Sequence, residues 1–489
     1  MQISSMQKSL FVVAVIGFTM ISCLQRQAPK VTVMGEFTGE IPNQVFVVNP
    51  LVNSVYWGFA DTLEVDSLGR FQLEFDNHKP SFVKLLNPIY KTIAVDAGQQ
   101  YAINIYKQND SLSFTVTGKT SAFQQFWQSL PNPGHPQLAA MQYRAVKPYK
   151  VRLLLDSLLA HEVNGLTQFY NDKVISKDLL NLCVLDRTVY YNTIAGTVAA
   201  FMFMDEYVAS GGAVSDSTLE FWESAVTAVP LSDSLLLKSA WAYYYIESYL
   251  TYKNRIASNF SWDTLKQARA EGTYHTYLLN QAQEHLTGAV HEFYNAAYLF
   301  SAAKQKRFES ELIPLFERYK NQYPNSSYTK YIEPLAADIV LYKQSSLKRL
   351  SAEVFILDND SINSFAALLK SFRGKKVFVD VWASWCSSCL DDFSEVPLRN
   401  EALRKHAVEI LYISVDDDKR ADQWLAAVKH YNLNGVHVRA NSNLHTDLRW
   451  LLSQNQGLVI PQYILVAQDG NVLLIADSPK HIITYLENN

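Results

Sequence analysis

The chain has 489 residues, which is enough for several domains, since a domain usually holds about 100–200 residues. Charged residues make up 18% of the chain and hydrophobic residues 48%, so the composition excludes a disordered protein. The formal net charge of −4 offers no positive field for nucleic acid, and four cysteines are too few for a disulfide-dense scaffold.

The N-terminal residues have the pattern of an export signal. The apolar run over residues 10–21 is too short to span a bilayer, which takes about 20 apolar residues, but it suits the hydrophobic part of a secretory signal. A serine and then Cys23 follow the run, which resembles the lipobox of bacterial lipoproteins, although Met20 and Ile21 differ from its usual residues. We therefore expect residues 1–23 to be a signal peptide with Cys23 as the lipidated residue. A plain signal peptide or a short anchor is the alternative, and in either case the protein is exported.

Residues 31–120 have the pattern of β-strands. Apolar and polar residues alternate, for example in FQLEF over residues 71–75. Turn-forming residues at 66–69 (DSLG) and 96–98 (DAG) predict hairpin turns between such strands. This part of the chain is therefore predicted to be an antiparallel, sandwich-like β-domain.

Residues 121–350 change to a helical period, which predicts an all-helical middle domain. Gly211-Gly212 is predicted to end the apolar helix that runs through residues 194–204. The sequence YPNS at 323–326 is predicted to separate two helices of one hairpin, with a helical repeat as the alternative. Cys183 lies in an apolar helix and is expected to be a small buried side chain. A cluster of aromatic residues is expected to belong to the domain core, with a ligand groove as the alternative: Trp241, Tyr243, Tyr244, Tyr245 and Tyr249.

Residues 351–489 alternate between strands and helices. The short β-branched stretches VFVDVW, ILYISV and YILVAQ are separated by amphipathic helical patterns. Such alternation implies βαβ units and a sheet that contains parallel strands. The whole chain is thus predicted to be a multidomain α+β protein whose last domain is of the α/β class.

The strongest chemical signal is the sequence Cys386-Ser387-Ser388-Cys389, directly after the predicted strand VFVDVW and at the start of a predicted helix. The free N–H groups and the dipole of a helix N-terminus favour a thiolate, so Cys386 is expected to be the attacking nucleophile. Cys389 is placed to attack the mixed disulfide that Cys386 forms. The pair is then a redox-active disulfide that needs no other cofactor. Half of a zinc site is the alternative, but no second C-x-x-C or paired Cys/His follows in this domain.

The C-terminal residues 351–489 resemble thioredoxin-fold domains of the TlpA/ResA-like exported type. The resemblance rests on VDVWASWCSSC, ILYISVDDDKRADQWLAAVKHYNL and GLVIPQYILVAQDGNV. It implies a thiol–disulfide oxidoreductase in which Pro461 follows a cis bond beside the cysteines, and in which Trp385 and the Ile460-Pro461 backbone form the substrate edge. It also places Asp380 beneath the second cysteine, as a buried acid of raised pKa that accepts and returns the proton of Cys389. A purely structural role for Asp380 is the alternative.

The motif also departs from the family pattern. Ser387-Ser388 replaces the frequent Gly-Pro, Ser394 stands where a proline is expected, and Gln462 stands where threonine is more usual. None of these differences removes a reacting atom, but Ser387-Ser388 leaves the redox potential unassigned, because these two residues tune the stability of the thiolate.

The resemblance implies partners of defined kinds. They are disulfide-containing periplasmic proteins as substrates, a thiol electron donor in the membrane, and the inner or outer membrane itself through the lipid anchor. Reduction is the expected direction, with oxidation or isomerisation as alternatives. A different hypothesis is a lipoprotein binding or scaffold module with an accessory or redox-sensing thioredoxin domain. A thiol peroxidase is less favoured, because such enzymes lack W-C-x-x-C.

Overall fold

The computed structural model describes most of the chain after the signal-like segment: residues 30–48, 54–76, 78–109, 111–358, 362–453 and 457–489. Cys23 and the expected signal peptide lie outside these residues, so the lipid anchor stays a prediction. In chain order the structure has two β-sheets, a helical region and a mixed sheet flanked by helices. The predicted multidomain α+β class is confirmed, while the division at residues 120 and 350 remains our interpretation.

Two four-stranded sheets form the first part of the chain. One has the strand order β4-β1-β7-β8 and the other β3-β2-β5-β6. Their inner faces enclose one core, which includes Val33, Phe37, Val45 and Leu85. All neighbouring strands are antiparallel except β1 and β7, which are parallel. The strands are β1 (Lys30–Gly39), β2 (Gln44–Val48), β3 (Asp61–Glu64), β4 (Arg70–Asp76), β5 (Ser81–Leu86), β6 (Lys91–Val95), β7 (Gln100–Gln108) and β8 (Ser111–Thr117).

Both predicted turns exist, but neither closes a hairpin. In the first, Asp66 Oδ1 accepts the N–H of Leu68 at 2.9 Å and Gly69 has a φ of 81°. The strands on either side of it, β3 and β4, belong to different sheets, and so do β6 and β7 around residues 96–98. The hairpin prediction was wrong because the same turn chemistry serves a hairpin and a corner between sheets. The choice between them depends on which faces are buried.

Helices α1–α11 make up the middle of the chain, and their bounds are α1 (Ser121–Ser129), α2 (Pro136–Ala140), α3 (Pro148–Asn171), α4 (Lys177–Ser210), α5 (Asp216–Val226), α6 (Ala242–Ala257), α7 (Asp263–Ala270), α8 (Tyr274–His285), α9 (Gly288–Lys304), α10 (Leu312–Gln322) and α11 (Thr329–Ser346). As predicted, α4 ends at Gly211, which has a φ of 73°, and the break at 323–326 separates α10 from α11. Cys183 is buried as a free thiol. None of the helices in the described ranges is long and apolar enough to cross a membrane.

The β-sheets and the helices share hydrophobic packing. Tyr56 and Phe59, in the segment between β2 and β3, are buried in the core of the helical region. Phe59 stacks on Tyr328 and Tyr331 with ring centroids 4.9 and 5.2 Å apart. On the other side, Gln124 in α1 bonds the backbone of Ala94 in β6 through both ends of its amide. These contacts fix the helical region against the sandwich.

The C-terminal part is a six-stranded sheet of order β14-β13-β10-β11-β12-β9. Strands β9 to β12 pair in parallel, and β13 and β14 are antiparallel. Strand β10 is central and buried along almost its whole length, as a strand covered by helices on both faces must be. The elements are β9 (Val354–Ile356), α12 (Phe365–Leu369), β10 (Lys376–Trp382), α13 (Ser387–Asp392), α14 (Val396–Lys405), β11 (Val408–Ser414), α15 (Ala421–His430), β12 (Gly435–Arg439), α16 (Ser442–Ser453), β13 (Gln462–Val466), β14 (Val472–Ala476) and α17 (Pro479–Asn488).

Candidate active site around Cys386 and Cys389

The two cysteines lie where the central strand β10 ends and helix α13 begins. They form a disulfide, with Cys386 6% exposed and Cys389 fully buried. A reagent approaching from solvent therefore meets Cys386 first. Cys386 is the more accessible of the two sulfurs, and Cys389 has no exposed surface.

Cys386 is the N-cap residue of α13. Its Sγ accepts the backbone N–H of Cys389 at 3.2 Å, and the hydroxyl of Ser388 lies 3.4 Å from the same sulfur. In the reduced protein these donors, together with the helix dipole, favour a thiolate at this position. Ser388, which the sequence left without a role, thus supplies a hydrogen-bond donor to the reactive sulfur.

The loop that leads to Cys386 is anchored by a buried carboxylate. Asp416 accepts hydrogen bonds from the N–H and the hydroxyl of Ser384, at 2.8 and 2.7 Å, and from the hydroxyl of Ser414 at 2.8 Å. These bonds tie the turn after β10 to the end of the neighbouring strand β11. The sequence analysis missed this anchor. It could have been found, because the carboxyl ends of adjacent parallel strands lie at the same edge of a sheet.

The proline loop lies against the disulfide. The Ile460–Pro461 bond is cis, as the resemblance implied, and the carbonyl oxygen of Ile460 is 3.8 Å from Cys386 Sγ. Trp385 is 50% exposed and Val459 is 72% exposed. The structure therefore brings an exposed indole and an exposed apolar loop to the rim of the accessible sulfur, where an extended substrate segment can lie.

Asp380 sits on β10 and is fully buried. Its Oδ2 accepts a hydrogen bond from Arg399 Nη1 at 2.9 Å, and Arg399 Nη2 donates to the hydroxyl of Tyr412 at 3.0 Å. Burial raises the pKa of Asp380 to about 6, although the charge of Arg399 opposes the rise. The carboxyl can therefore exchange a proton near neutral pH.

Two findings qualify the predicted role of Asp380. Its Oδ1 has no hydrogen-bond partner, and no hydrogen bond links the carboxyl to either cysteine in the described part of the chain. The arginine beside it was also missed, because Arg399 lies on a different element, α14, and nothing in the local sequence pattern marks it as the partner of Asp380.

The helical region also contacts the active-site helix. Lys306, just after α9, donates to the carbonyl of Leu390 at 3.2 Å and lies 2.9 Å from Asp391 Oδ1. Close by, Phe308 stacks on Tyr342 with ring centroids 3.8 Å apart, and both rings contact His430 of α15. Lys306 thus satisfies a carbonyl near the C-terminal end of α13, where a positive charge is favourable.

We expect Lys306→Met to loosen α13. Losing a cation at a helix C-terminus costs about 0.5–1 kcal/mol, which should speed amide hydrogen exchange in α13 by roughly two- to fivefold. Lys304→Met is the matched control, because Lys304 lies 3.7 Å from the same Asp391 carboxylate but makes no bond to the Leu390 carbonyl. Equal exchange rates in the two variants would show that the backbone contact of Lys306 has no effect.

Comparison with known proteins places these features in a family context. Residues 357–481 match the Redoxin family. The thiol-disulfide oxidoreductase ResA of Bacillus subtilis (strain 168) is 26% identical over 133 residues, which cover 27% of this chain and 69% of ResA. Two solved structures with 22% identity are the thioredoxin domain of a thiol-disulfide oxidoreductase from Bacteroides vulgatus and a thiol-disulfide oxidoreductase from Bacteroides fragilis. The match to the first covers 24% of this chain and 82% of that structure's chain, and the match to the second covers 27% of this chain and 88% of the other. Each has a TM-score of 0.21.

Proposed function

From the C-terminal part of the chain, which is a thioredoxin-fold, TlpA/ResA-like thiol–disulfide oxidoreductase domain, we propose that this protein reduces disulfides of exported proteins on the periplasmic side of a membrane. The observation that carries the proposal is the asymmetric pair at the start of α13, in which Cys386 keeps a small exposed fraction of 6% and Cys389 has none.

The exchange proceeds in two steps that balance two electrons. The Cys386 thiolate attacks one sulfur of a substrate disulfide, forms a mixed disulfide and releases the first substrate thiolate. Cys389 then loses its proton and attacks Cys386 Sγ, which releases the second substrate thiolate and leaves the disulfide that the structure contains. A membrane thiol donor returns the pair to the dithiol form.

The groups around the cysteines support these steps. Trp385 and the Ile460-Pro461 backbone hold an extended substrate segment beside Cys386. Asp380 accepts the proton of Cys389 in the second step, for which a pKa raised to about 6 by burial is suitable. The buried Arg399 keeps the carboxyl available as an anion.

Asp380→Asn tests the proton step. We expect the variant to be less stable, because Arg399 loses its charged partner, but to remain folded, because the oxygen of asparagine can still accept the Arg399 N–H. It should form the mixed disulfide normally, since Cys386 is unchanged. Its second step should be slower by about 100-fold, the lower end of the range for general acid–base catalysis. In the unaltered protein the rate of the second step should rise near pH 6, where Asp380 loses its proton. In the variant this rise should be absent. Rapid-quench measurement of both steps from pH 5 to 8 makes the comparison, and an unchanged profile would leave Asp380 a structural acid.

Reduction of insulin disulfides tests the function. The purified chain with dithiothreitol should precipitate insulin faster than dithiothreitol alone, and Cys386→Ser should not. Equal rates for the two proteins would favour the alternative, a lipoprotein binding or scaffold module. Equilibration with glutathione buffers then distinguishes a reductase from an oxidase by the potential of the pair.

The location has a separate test. We propose that Cys23 carries the lipid anchor, so Cys23→Ser should release the protein from the membrane fraction into the periplasm. Retention of the variant in the membrane would contradict the lipid anchor without affecting the redox function.

A further inference from the structure

A cavity of about 710 Å³ lies within the helical region, away from the cysteines. It is bounded by residues of α6, α7, α8 and α9, by Gly272, and by the segment 305–311 that follows α9. This volume is within the range of small-molecule sites, about 300–1,000 Å³. Neither the redox chemistry nor the packing of the thioredoxin-fold domain explains it.

The most unusual group in the cavity is Glu247 of α6. Its side chain lines the cavity, and no side chain or backbone group in the described ranges donates a hydrogen bond to its carboxylate. Burial raises the pKa of Glu247 to about 7. Glu247 is only partly exposed, and a carboxylate held there without a partner is unfavourable, a cost that a bound cation offsets.

Aromatic rings surround this carboxylate. Tyr243 and Tyr298 line the cavity, and Tyr294 packs between them, with ring centroids 5.8 Å from Tyr243 and 6.0 Å from Tyr298. Burial, and after it the charge of Glu247, raises the pKa of both Tyr243 and Tyr294, which places the carboxylate close to these rings. Aromatic faces next to a carboxylate form the type of site that binds an organic cation.

Of the other charges at the cavity, Glu309, Glu311 and Arg269 have partners of their own, and the charge of Arg307 acts on Glu309. Glu309 lies 3.0 Å from His275 Nε2, and Glu311 accepts the N–H groups of His275 and Thr276 at the start of α8. Arg269 stacks over the ring of Tyr274, 4.5 Å from its centroid. The hydrogen bond from His275, and after it the charges of His275 and Arg307, lowers the pKa of Glu309. Glu247 is therefore the carboxylate of this cavity that is left for a ligand.

We propose that this cavity binds an organic cation, an ammonium or guanidinium group, which pairs with Glu247 and lies against Tyr243 and Tyr298. The site is independent of the thiol–disulfide exchange. Of the aromatic cluster predicted from the sequence, Tyr243 reaches the cavity, whereas Tyr245 is buried in the core and bonds the backbone of residues 226 and 229.

Calorimetric titration of the purified full chain tests the site. The probes are n-butylammonium and n-butylguanidinium, with 1-butanol as the uncharged control of similar shape. We expect one cation to bind per chain and 1-butanol to give no signal. Glu247→Gln should weaken the binding at least tenfold, because the amide keeps the shape but removes the charge. N-acetyl-lysine methylamide is titrated in the same way. If it binds more tightly than n-butylammonium, the ligand is a peptide side chain, and if it binds more weakly, the ligand is a free amine.

Two further variants keep the test decisive. Glu284→Gln removes a carboxylate from the exposed face of α8, outside the cavity, and should leave the affinity unchanged. Leu278→Trp fills part of the cavity while keeping Glu247, and it should abolish the binding of both cations. The proposal is overturned if neither cation binds at about 10 mM, where a millimolar site is already saturated. Equal affinity in the unaltered protein and in either cavity variant would also overturn it.

Discussion

Replacing Arg399 with methionine is expected to lower the free energy of unfolding by about 3–5 kcal/mol at pH 8, because it leaves the charge of Asp380 buried without a partner. Both side chains are almost completely buried, and their only ion pair in the described ranges is with each other, at 2.9 Å. Methionine fills a similar volume, so a cavity contributes little. Urea denaturation of the oxidised protein measures the change.

The pH dependence identifies the cause of this loss. Burial already raises the pKa of Asp380 to about 6 with Arg399 present, and removing the arginine raises it further. A carboxyl whose pKa is raised by folding stabilises the native state below its unfolded pKa, and this stability is lost as the pH rises through the folded value. The cost of Arg399→Met should therefore be clearly smaller at pH 5 than at pH 8.

A double variant serves as the control. Asp380→Asn combined with Arg399→Met removes both charges, so it should recover much of the stability that the single arginine variant loses. A single variant that loses less than about 0.5 kcal/mol, the usual effect of a surface substitution, would show that this pair is not the buried ion pair on which the site rests.

The second large effect concerns the two cysteines. Cys386→Ser should abolish disulfide exchange, because the accessible sulfur is gone and Cys389 is fully buried. Cys389→Ser should still attack a substrate but stop at the mixed disulfide, since no second sulfur can displace it. Non-reducing electrophoresis of cells that express each variant reveals the trapped complexes and, by mass spectrometry, their substrates.

The contrast between the variants is the control for this experiment. Complexes should form with Cys389→Ser, disappear on reduction, and be absent from the variant in which both cysteines are serine. Complexes that persist in the Cys386→Ser variant, linked through Cys389, would reverse the assigned order of attack.

The sequence was sufficient for the local chemistry of the site. The position of the C-x-x-C after a buried-type strand was predicted from residues that are contiguous in the chain, and the cis bond at Ile460-Pro461 and the burial of Asp380 were implied by the family resemblance. The period changes also separated the strands from the helices, and Gly211 marked the end of α4.

What the sequence missed depends on contacts between distant segments. Arg399 reaches Asp380 from another element, and Lys306 reaches α13 from the helical region. The turns at 66–69 and 96–98 were correctly located, but each connects strands of different sheets. The partner of a strand is determined by which of its faces is buried and not by the residues of the turn. Glu247 had no signal at all, since a single glutamate in an amphipathic helix is normally at the surface.

The most direct test of the central claim, that Cys386 is the reactive thiolate, is the pH dependence of its alkylation by iodoacetamide in the reduced protein. Cys386 should be alkylated first, with a midpoint clearly below the ordinary thiol pKa of about 8.5, because the Cys389 N–H and the Ser388 hydroxyl lie beside its sulfur at the start of α13. Mass spectrometry of the labelled peptides separates it from buried Cys183 and Cys389. A midpoint at or above about 8.5, or faster labelling of Cys389, would contradict the account.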